Sequence, residues 1–306
     1  MKVLEFPAAE FDRRLATTGV PLRCGPFIVS IVSSLPQVAS GLRFHYADFE
    51  VQDGLAMVDF DVSVEPPSTL RRFVRAQASF TCDGRAPFKP LPIGHAFPML
   101  EWGLNWVISA HAHDHLVLHG AVLERHGRAL ILAADPGSGK STLCAALVDA
   151  GWRLLSDELA LVSLETGKLT PVARPISLKN ESIEVIRALG PSAPVGAVCA
   201  GTSKGAVAHV RPPGASVARM SDPADPAWIV FPKFSKGGTL TLEPLGRAHA
   251  FMELTRHAFN YALLGEIAFE ALATLVDRCE FARVAYGHLD QVVPELERRA
   301  SRRGDR

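Results

Sequence analysis

The strongest constraint on this chain is an apolar run, Ala129-Leu130-Ile131-Leu132-Ala133, leading without a break into Ala134-Asp135-Pro136-Gly137-Ser138-Gly139-Lys140-Ser141-Thr142. A continuous apolar run, as opposed to an alternating one, reads as a strand buried on both faces, and such strands belong to sheets covered by helices. After Ser141 the apolar period is helical as far as Ala150, and Gly151 sits where a helix ends. Strand, glycine-rich loop and helix N-terminus in this order bring backbone N–H groups and the helix dipole together on a phosphate. Gly137 and Gly139 let the loop turn its amides inward. Lys140 adds a compact positive charge, and the Ser141 hydroxyl is placed to ligate Mg²⁺. Asp135, Pro136, Gly137, Ser138, Gly139, Lys140, Ser141 and Thr142 are therefore the candidate nucleotide-binding residues. Ala134 replaces the first glycine of the usual GxxxxGK[ST] pattern, a small change. A turn that binds nothing is the alternative, and it leaves the Lys140-Ser141 pair at the one correct offset unexplained.

A phosphate loop does not choose the chemistry, but its flanks narrow the choice. Upstream lies His119-Gly120; downstream, past the helix, Arg153-Leu154-Leu155-Ser156 reads as a strand that delivers Asp157 and Glu158 at its end. Carboxylates placed there can bind Mg²⁺ or take the proton of an attacking hydroxyl. The alternative is that Asp157-Glu158 is a helix-capping or turn pair. The residues alone leave open which of Asp157 and Glu158 would hold Mg²⁺ with Ser141 and which would take the proton.

His119 to Glu158, read without a gap, resembles the core of bacterial HPr kinase/phosphorylase, whose phosphate loop sits in a fold related to phosphoenolpyruvate carboxykinase. The resemblance extends over nearly the whole chain to the divergent HprK-related kinase A family, through Pro90-Leu91-Pro92, Glu101-Trp102-Gly103-Leu104-Asn105-Trp106, Leu155-Ser156-Asp157-Glu158-Leu159-Ala160-Leu161, Arg174-Pro175-Ile176-Ser177-Leu178-Lys179-Asn180, Lys204-Gly205, His209-Val210-Arg211-Pro212-Pro213 and Phe259-Asn260-Tyr261. The resemblance implies ATP and Mg²⁺ as cofactors and transfer of the γ-phosphate to a serine hydroxyl, with Asp157 as the general base, His119 and Lys140 acting with it, and Ser141, Asp157 and Glu158 as the metal ligands. It also implies a peptide or small-protein substrate, in company with a PqqD-like peptide carrier. The glycine- and isoleucine-rich signature that HPr kinases carry downstream has no counterpart here, so neither phosphorolysis nor HPr itself is expected. Two other readings stay open: a pseudokinase that binds nucleotide and recruits a peptide, and a kinase acting on a small-molecule hydroxyl.

The rest of the chain sets the frame. At 306 residues it has room for about two domains. We expect an α/β architecture: a smaller β-rich N-terminal domain over 1–95, with strands at Phe27 to Val32, Ala56 to Val64 and Ala78 to Cys82, then a phosphate-loop kinase domain over 96–306. A linking helix is expected around Phe97 to Ala112, further helices at Glu181 to Leu189 and, as one long region, Ala250 to Cys279, and strands at Trp228 to Phe231 and Thr239 to Leu242. Lys+Arg and Asp+Glu balance at 32 each, which removes the excess of positive charge needed to bind a nucleic-acid duplex or an anionic membrane. Five scattered cysteines without metal-ligand spacing and an N-terminus broken by Glu5, Glu10 and Asp12 lead us to expect a cytoplasmic protein, and we expect a homo-oligomer.

Other polar groups compete for attention. Arg174, Lys179 and Arg211, in proline-rich loops, and Lys204 are possible phosphate or substrate contacts, each open to being a surface charge. His111, His113, Asp114 and His115 have the spacing of metal ligands but lie where a helix should end, which also suits histidines. Glu101, Trp102, Asn105 and Trp106 read as a packing face whose polar members could line a cleft. Arg298, Arg299, Arg302, Arg303 and Arg306 read as a solvated tail.

Overall fold

The computed structural model describes every residue except 53–56, 69–70, 72–73, 191–192 and 302–306, so Ala56 and the arginines at 302, 303 and 306 lie outside the described residues. It is a mixed α/β structure with three sheets. The first 95 residues build a five-stranded sheet in the order of the chain, from β1 (Val20–Cys24), β2 (Phe27–Val32), β3 (Phe60–Glu65), β4 (Gln77–Cys82) and β5 (Leu91–Pro92). Two helices, α1 (Ala8–Thr17) and α2 (Pro36–His45), stand beside these strands; alternation alone does not announce them. The Pro36 ring occupies the first turn of α2, where its missing N–H costs nothing.

Helix α3 (Ala96–His111) follows and is apolar nearly all round, with Leu100, Leu104, Val107 and Ile108 fully buried. A helix with no polar face has to be covered on every side. Gly103 sits where a Cβ would lie 2.2 Å from the Phe80 ring, and Gly41 of α2 approaches Phe97 as closely, at 2.1 Å. The core therefore runs unbroken from Val3 through α3 to Ala300.

The central sheet has eight strands. β6 (His115–Arg125) is one long strand, and it pairs antiparallel with β7 (Arg128–Ala133). Leu130 and Leu132 enter the core shared with α3, while Ala129, Ile131 and Ala133 enter a second core on the opposite face. That division explains the unbroken apolar run. Helix α4 (Lys140–Asp149) leaves the loop that follows β7, and Gly151 ends it with a φ of 90°. Next come β8 (Arg153–Ser156) and β9 (Leu159–Ser163), both pairing with β6 on either side of Asp157-Glu158, and then β10 (Leu169–Thr170) beside β9.

An excursion packs against α4. It contains β11 (Ile176–Lys179), α5 (Glu181–Leu189), β12 (Cys199–Thr202) and β13 (Gly205–Val210), whose strands form the third sheet in the order β11-β13-β12, and it ends with the short α6 (Gly214–Ala218). The chain then returns to the central sheet as β14 (Asp225–Phe234), parallel to β7, and β15 (Thr241–Pro244).

The expected single helix from Ala250 to Cys279 is in fact three: α7 (Arg247–His257), α8 (Tyr261–Leu264) and α9 (Glu266–Arg278). The first break has a structural purpose. Ala258 bridges to Leu118 and the Phe259 N–H donates to the Val117 carbonyl. Asn260 clamps β6 from both sides, accepting from the Val117 N–H at 3.0 Å and donating to the His115 carbonyl at 2.8 Å. β16 (Glu280–Tyr286), parallel to β14, and α10 (Leu289–Ser301) complete the fold; Arg298 and Arg299 belong to α10 and pair with Glu295. Among the described residues no helix is long and apolar enough to cross a membrane.

Candidate functional site

The loop between β7 and α4 opens into a cavity of about 1160 Å³, lined by every residue from Asp135 to Thr142. Gly137 (φ 88°) and Gly139 (φ 86°) both take left-handed conformations. At Gly139 a Cβ would meet the Tyr286 hydroxyl at 2.5 Å and Phe234 Cβ at 2.8 Å, so both conformation and space require glycine there. The loop is braced from the neighbouring strand ends: Tyr286 Oη donates to the Gly139 carbonyl at 3.1 Å, and the Phe234 N–H to the Ser138 carbonyl at 2.9 Å.

Three elements bring the charged groups together. β6 contributes His119, the first turn of α4 contributes Lys140 and Ser141, and the break between β8 and β9 contributes Asp157 and Glu158. That break lies against β6, with the Gly120 N–H donating to the Glu158 carbonyl at 3.2 Å. Lys140 is 6 % exposed and donates from Nζ to His119 Nε2 at 2.7 Å. His119 accepts that bond as a neutral ring, which leaves its proton on Nδ1, 3.5 Å from Glu158 Oε2. Burial and the Lys140 charge push its pKa down to about 4, so the neutral form holds at pH 7. Burial also lowers Lys140.

Asp157 is 3 % exposed, with Oδ2 accepting from the Ser177 N–H of β11 at 3.0 Å and Oδ1 left without a hydrogen-bond partner. Burial and the neighbouring Glu158 raise its pKa to about 7, against the opposing pull of Lys140, the Ser177 N–H and the Ser141 hydroxyl. A buried carboxylate oxygen with no partner, beside a serine hydroxyl and a second carboxylate, is the donor set a hard divalent cation takes. Ser141, Asp157 and Glu158 therefore fit Mg²⁺, and the loop fits a nucleotide's phosphates.

The four loop cations divide. Lys179 and Lys204 line the same cavity. Arg174 does not: it is buried against Glu101, Nη1 to Oε2 at 3.3 Å, and bonds Asn105, in a narrow recess that Asp157 and Glu158 also line; Glu158 lines the loop cavity as well, Asp157 the recess alone. Tyr46 Oη donates to the other Glu101 oxygen at 2.6 Å, so Glu101 and Asn105 tie the first half of the chain to the segment that carries Ser177. Arg211 reaches away from the cavity to Asp48 at 2.5 Å. The histidine cluster is also occupied elsewhere. His115 bonds Asp114 and Thr170, His111 bonds the Val107 carbonyl, and no group of three or more metal-ligating side chains occurs among the described residues.

Several contributors to the site escaped sequence reading. Trp102 carries Lys204 Nζ over its ring at 4.9 Å. Phe259 sets its ring edge-on to His119, with centroids 5.7 Å apart. Phe234 and Tyr286 through Asp290 form the wall beside the loop. The signal for Phe259 lay in the Phe259-Asn260-Tyr261 string, which sits within an otherwise helical pattern; the wall residues, at the ends of β14 and β16, gave no local signal.

A family model described as SynChlorMet cassette protein ScmC matches residues 97–200. That stretch, one third of the chain, contains α3, β6, the glycine-rich loop, the acidic pair and β11. No curated protein matches the chain. The chain is thus similar to the ScmC family over the stretch that supplies His119, Lys140, Ser141, Asp157 and Glu158.

Proposed function

We propose that this protein is a P-loop kinase of the HPr kinase and phosphoenolpyruvate carboxykinase-like type, transferring the ATP γ-phosphate to a side-chain hydroxyl, serine in the first instance, of a peptide or small protein handled with a PqqD-like carrier. The observation that carries the reading is the junction of His119, Lys140 and Asp157 at the mouth of the glycine-rich loop. Two of these groups are buried, Lys140 donates to His119, and burial shifts all three in pKa, a combination that supports a chemical role.

The loop amides and Lys140 hold the phosphates. Mg²⁺, when bound, would neutralise phosphate charge, with Ser141 and Glu158 as its holders and Asp157 left to act as the base. Asp157, whose pKa stands near 7, takes the proton of the acceptor hydroxyl, and a base poised there works at neutral pH. His119 keeps Lys140 and Glu158 in register through its two ring nitrogens. Most of the rate enhancement then comes from positioning and charge stabilisation.

The test uses labelled ATP, Mg²⁺ and peptides encoded near the protein's own gene. Lys140→Ala abolishes nucleotide-dependent labelling, whereas Asp157→Asn binds nucleotide and transfers at least 100-fold more slowly, the lower range for loss of a general base. Turnover near wild type in Asp157→Asn sinks the assigned base. Label on a metabolite would redirect the reading to a small-molecule kinase, and bound but uncleaved ATP to a pseudokinase.

A further inference from the structure

Lys179 and Lys204 are held together at some structural expense. Lys179 ends β11, and Lys204 occupies the turn between β12 and β13, the strand that pairs with β11. The turn is fixed by Asn180, which accepts from the Ala206 N–H at 3.1 Å and adopts φ 52° and ψ −126°, a left-handed region that side-chain-bearing residues rarely enter. Gly205 completes it, because a Cβ there would lie 2.2 Å from Asn180 Oδ1. Trp102 packs under the Lys204 ammonium. Among the described residues neither lysine forms an ion pair with a carboxylate, although both stand in a cavity wall. Burial and the charge of Lys179 lower the pKa of Lys204. Two unpaired cations, brought together by a strained turn and an aromatic ring, form a built site for an anion.

Which anion follows from direction. Ser177 and Lys179 are two residues apart on β11 and share a face, so Lys179 lies about 7 Å along the strand from the residue whose N–H holds Asp157. A base stands on the acceptor's side of the γ-phosphate. Lys179, carried by the strand that holds the base, therefore stands on the acceptor's side, and Lys204 in the β12–β13 turn is close enough to feel its charge, while Lys140 and the loop amides already serve the nucleotide.

We propose that Lys179 and Lys204, set by Trp102 and Asn180, form a subsite for carboxylates flanking the acceptor hydroxyl, so that the substrate is an acidic peptide. This rests on the phosphoryl-transfer reading for its orientation. It is tested by fluorescence anisotropy with fluorescein-labelled peptides in which a serine is flanked by aspartates, by alanines or by lysines, titrated into the full-length protein with and without Mg²⁺ and a non-hydrolysable ATP analogue. The aspartate peptide is expected to bind at least tenfold more tightly than the alanine peptide, and the lysine peptide least. Lys179→Glu/Lys204→Glu should reverse that order, and circular dichroism checks that the double variant is folded.

Equal affinities, or an order that survives the charge reversal, overturn the proposal. So does a Lys179→Met/Lys204→Met variant that binds ADP as wild type does, loses affinity for ATP and keeps the peptide order, since the cations would then serve the γ-phosphate. Should the acidic preference and its reversal hold while no nucleotide binds, the subsite stands and the kinase reading falls.

Discussion

Arg174 gives the sharpest test of where the site ends. Its guanidinium is 6 % exposed and its carboxylate partner Glu101 is 3 % exposed, with Tyr46 donating to the same carboxylate. Arg174→Met leaves Glu101 as an acid in an apolar setting with one partner lost. Removing one member of a buried pair costs about 3–5 kcal/mol, because the remaining charge is uncompensated. Burial already pushes the Glu101 pKa upward, so protonation relieves part of that cost, and the lower end, about 3 kcal/mol, is the expected loss near neutral pH. The double variant Glu101→Met/Arg174→Met removes both charges and should recover most of the loss, since apolar replacement of a whole buried pair is often neutral. The assay is urea unfolding of the three proteins, with nucleotide affinity measured on each below its transition. The single variant should unfold at markedly lower urea yet bind nucleotide within about threefold of wild type, a difference of under 1 kcal/mol. An Arg174→Met protein as stable as wild type but unable to bind ATP would refute the placement of Arg174 in the scaffold and return it to the phosphates.

Two further outcomes follow from the same structure. Gly139→Ala should abolish nucleotide binding while the far-ultraviolet circular dichroism stays native, because the added methyl meets Tyr286 and Phe234 and the loop must leave φ 86°; unchanged affinity would mean that the loop is not the binding element. His45 and His209, edge to face at 5.9 Å, are both pushed down to about 3, mainly by burial, with Arg211 adding to the effect on His45 and His45 to that on His209. Their folded pKa values lie below the unfolded value near 6.5, so between about pH 6.5 and 3 the unfolded chain binds the extra protons and stability falls with falling pH. The slope is up to about 1.4 kcal/mol per pH unit for each histidine. His209→Gln should flatten the dependence of unfolding free energy on pH below 6.5, and an unaltered slope would show that this histidine does not report on acid unfolding.

What could be read from the sequence was what is local. The loop, its lysine and serine, and the helix stop at Gly151 depend on φ angles and periodicity that neighbouring residues declare. The acidic pair could be read as a strand end, and the structure adds that the strand is interrupted there, with β8 and β9 pairing to one long β6. Helices α1 and α2 were not legible among short apolar runs, and the break at Ala258–Asn260 was hidden because its cause, capture by β6, lies more than a hundred residues away. Trp102, Phe234 and Tyr286 carry no local mark of a site. Each is an aromatic residue of ordinary core type; the pairing of β14 with β16 brings Phe234 and Tyr286 to the cavity, and Trp102 reaches it only through Lys204.

The same distinction separates packing charges from working ones. Buried charged residues occur in both roles, so burial alone decides nothing. Glu101 is paired with Arg174 and bonded by Tyr46, and Glu124 is paired with Arg153 and Arg219, far from any phosphate. In those clusters cation and anion meet directly and fix segments against one another, although Arg174 Nε has no hydrogen-bond partner. Around the glycine-rich loop they do not. A neutral histidine stands between Lys140 and Glu158, Asp157 keeps one oxygen without a partner, and Lys179 and Lys204 have no ion-pair partner among the described residues. Of these groups Lys140 and Asp157 are buried, and a buried charge without a direct counter-charge raises the energy of the folded protein unless something that enters the cavity completes it. On the kinase reading proposed above, the missing counter-charges are phosphate for the cations of the loop and a divalent cation for the carboxylates.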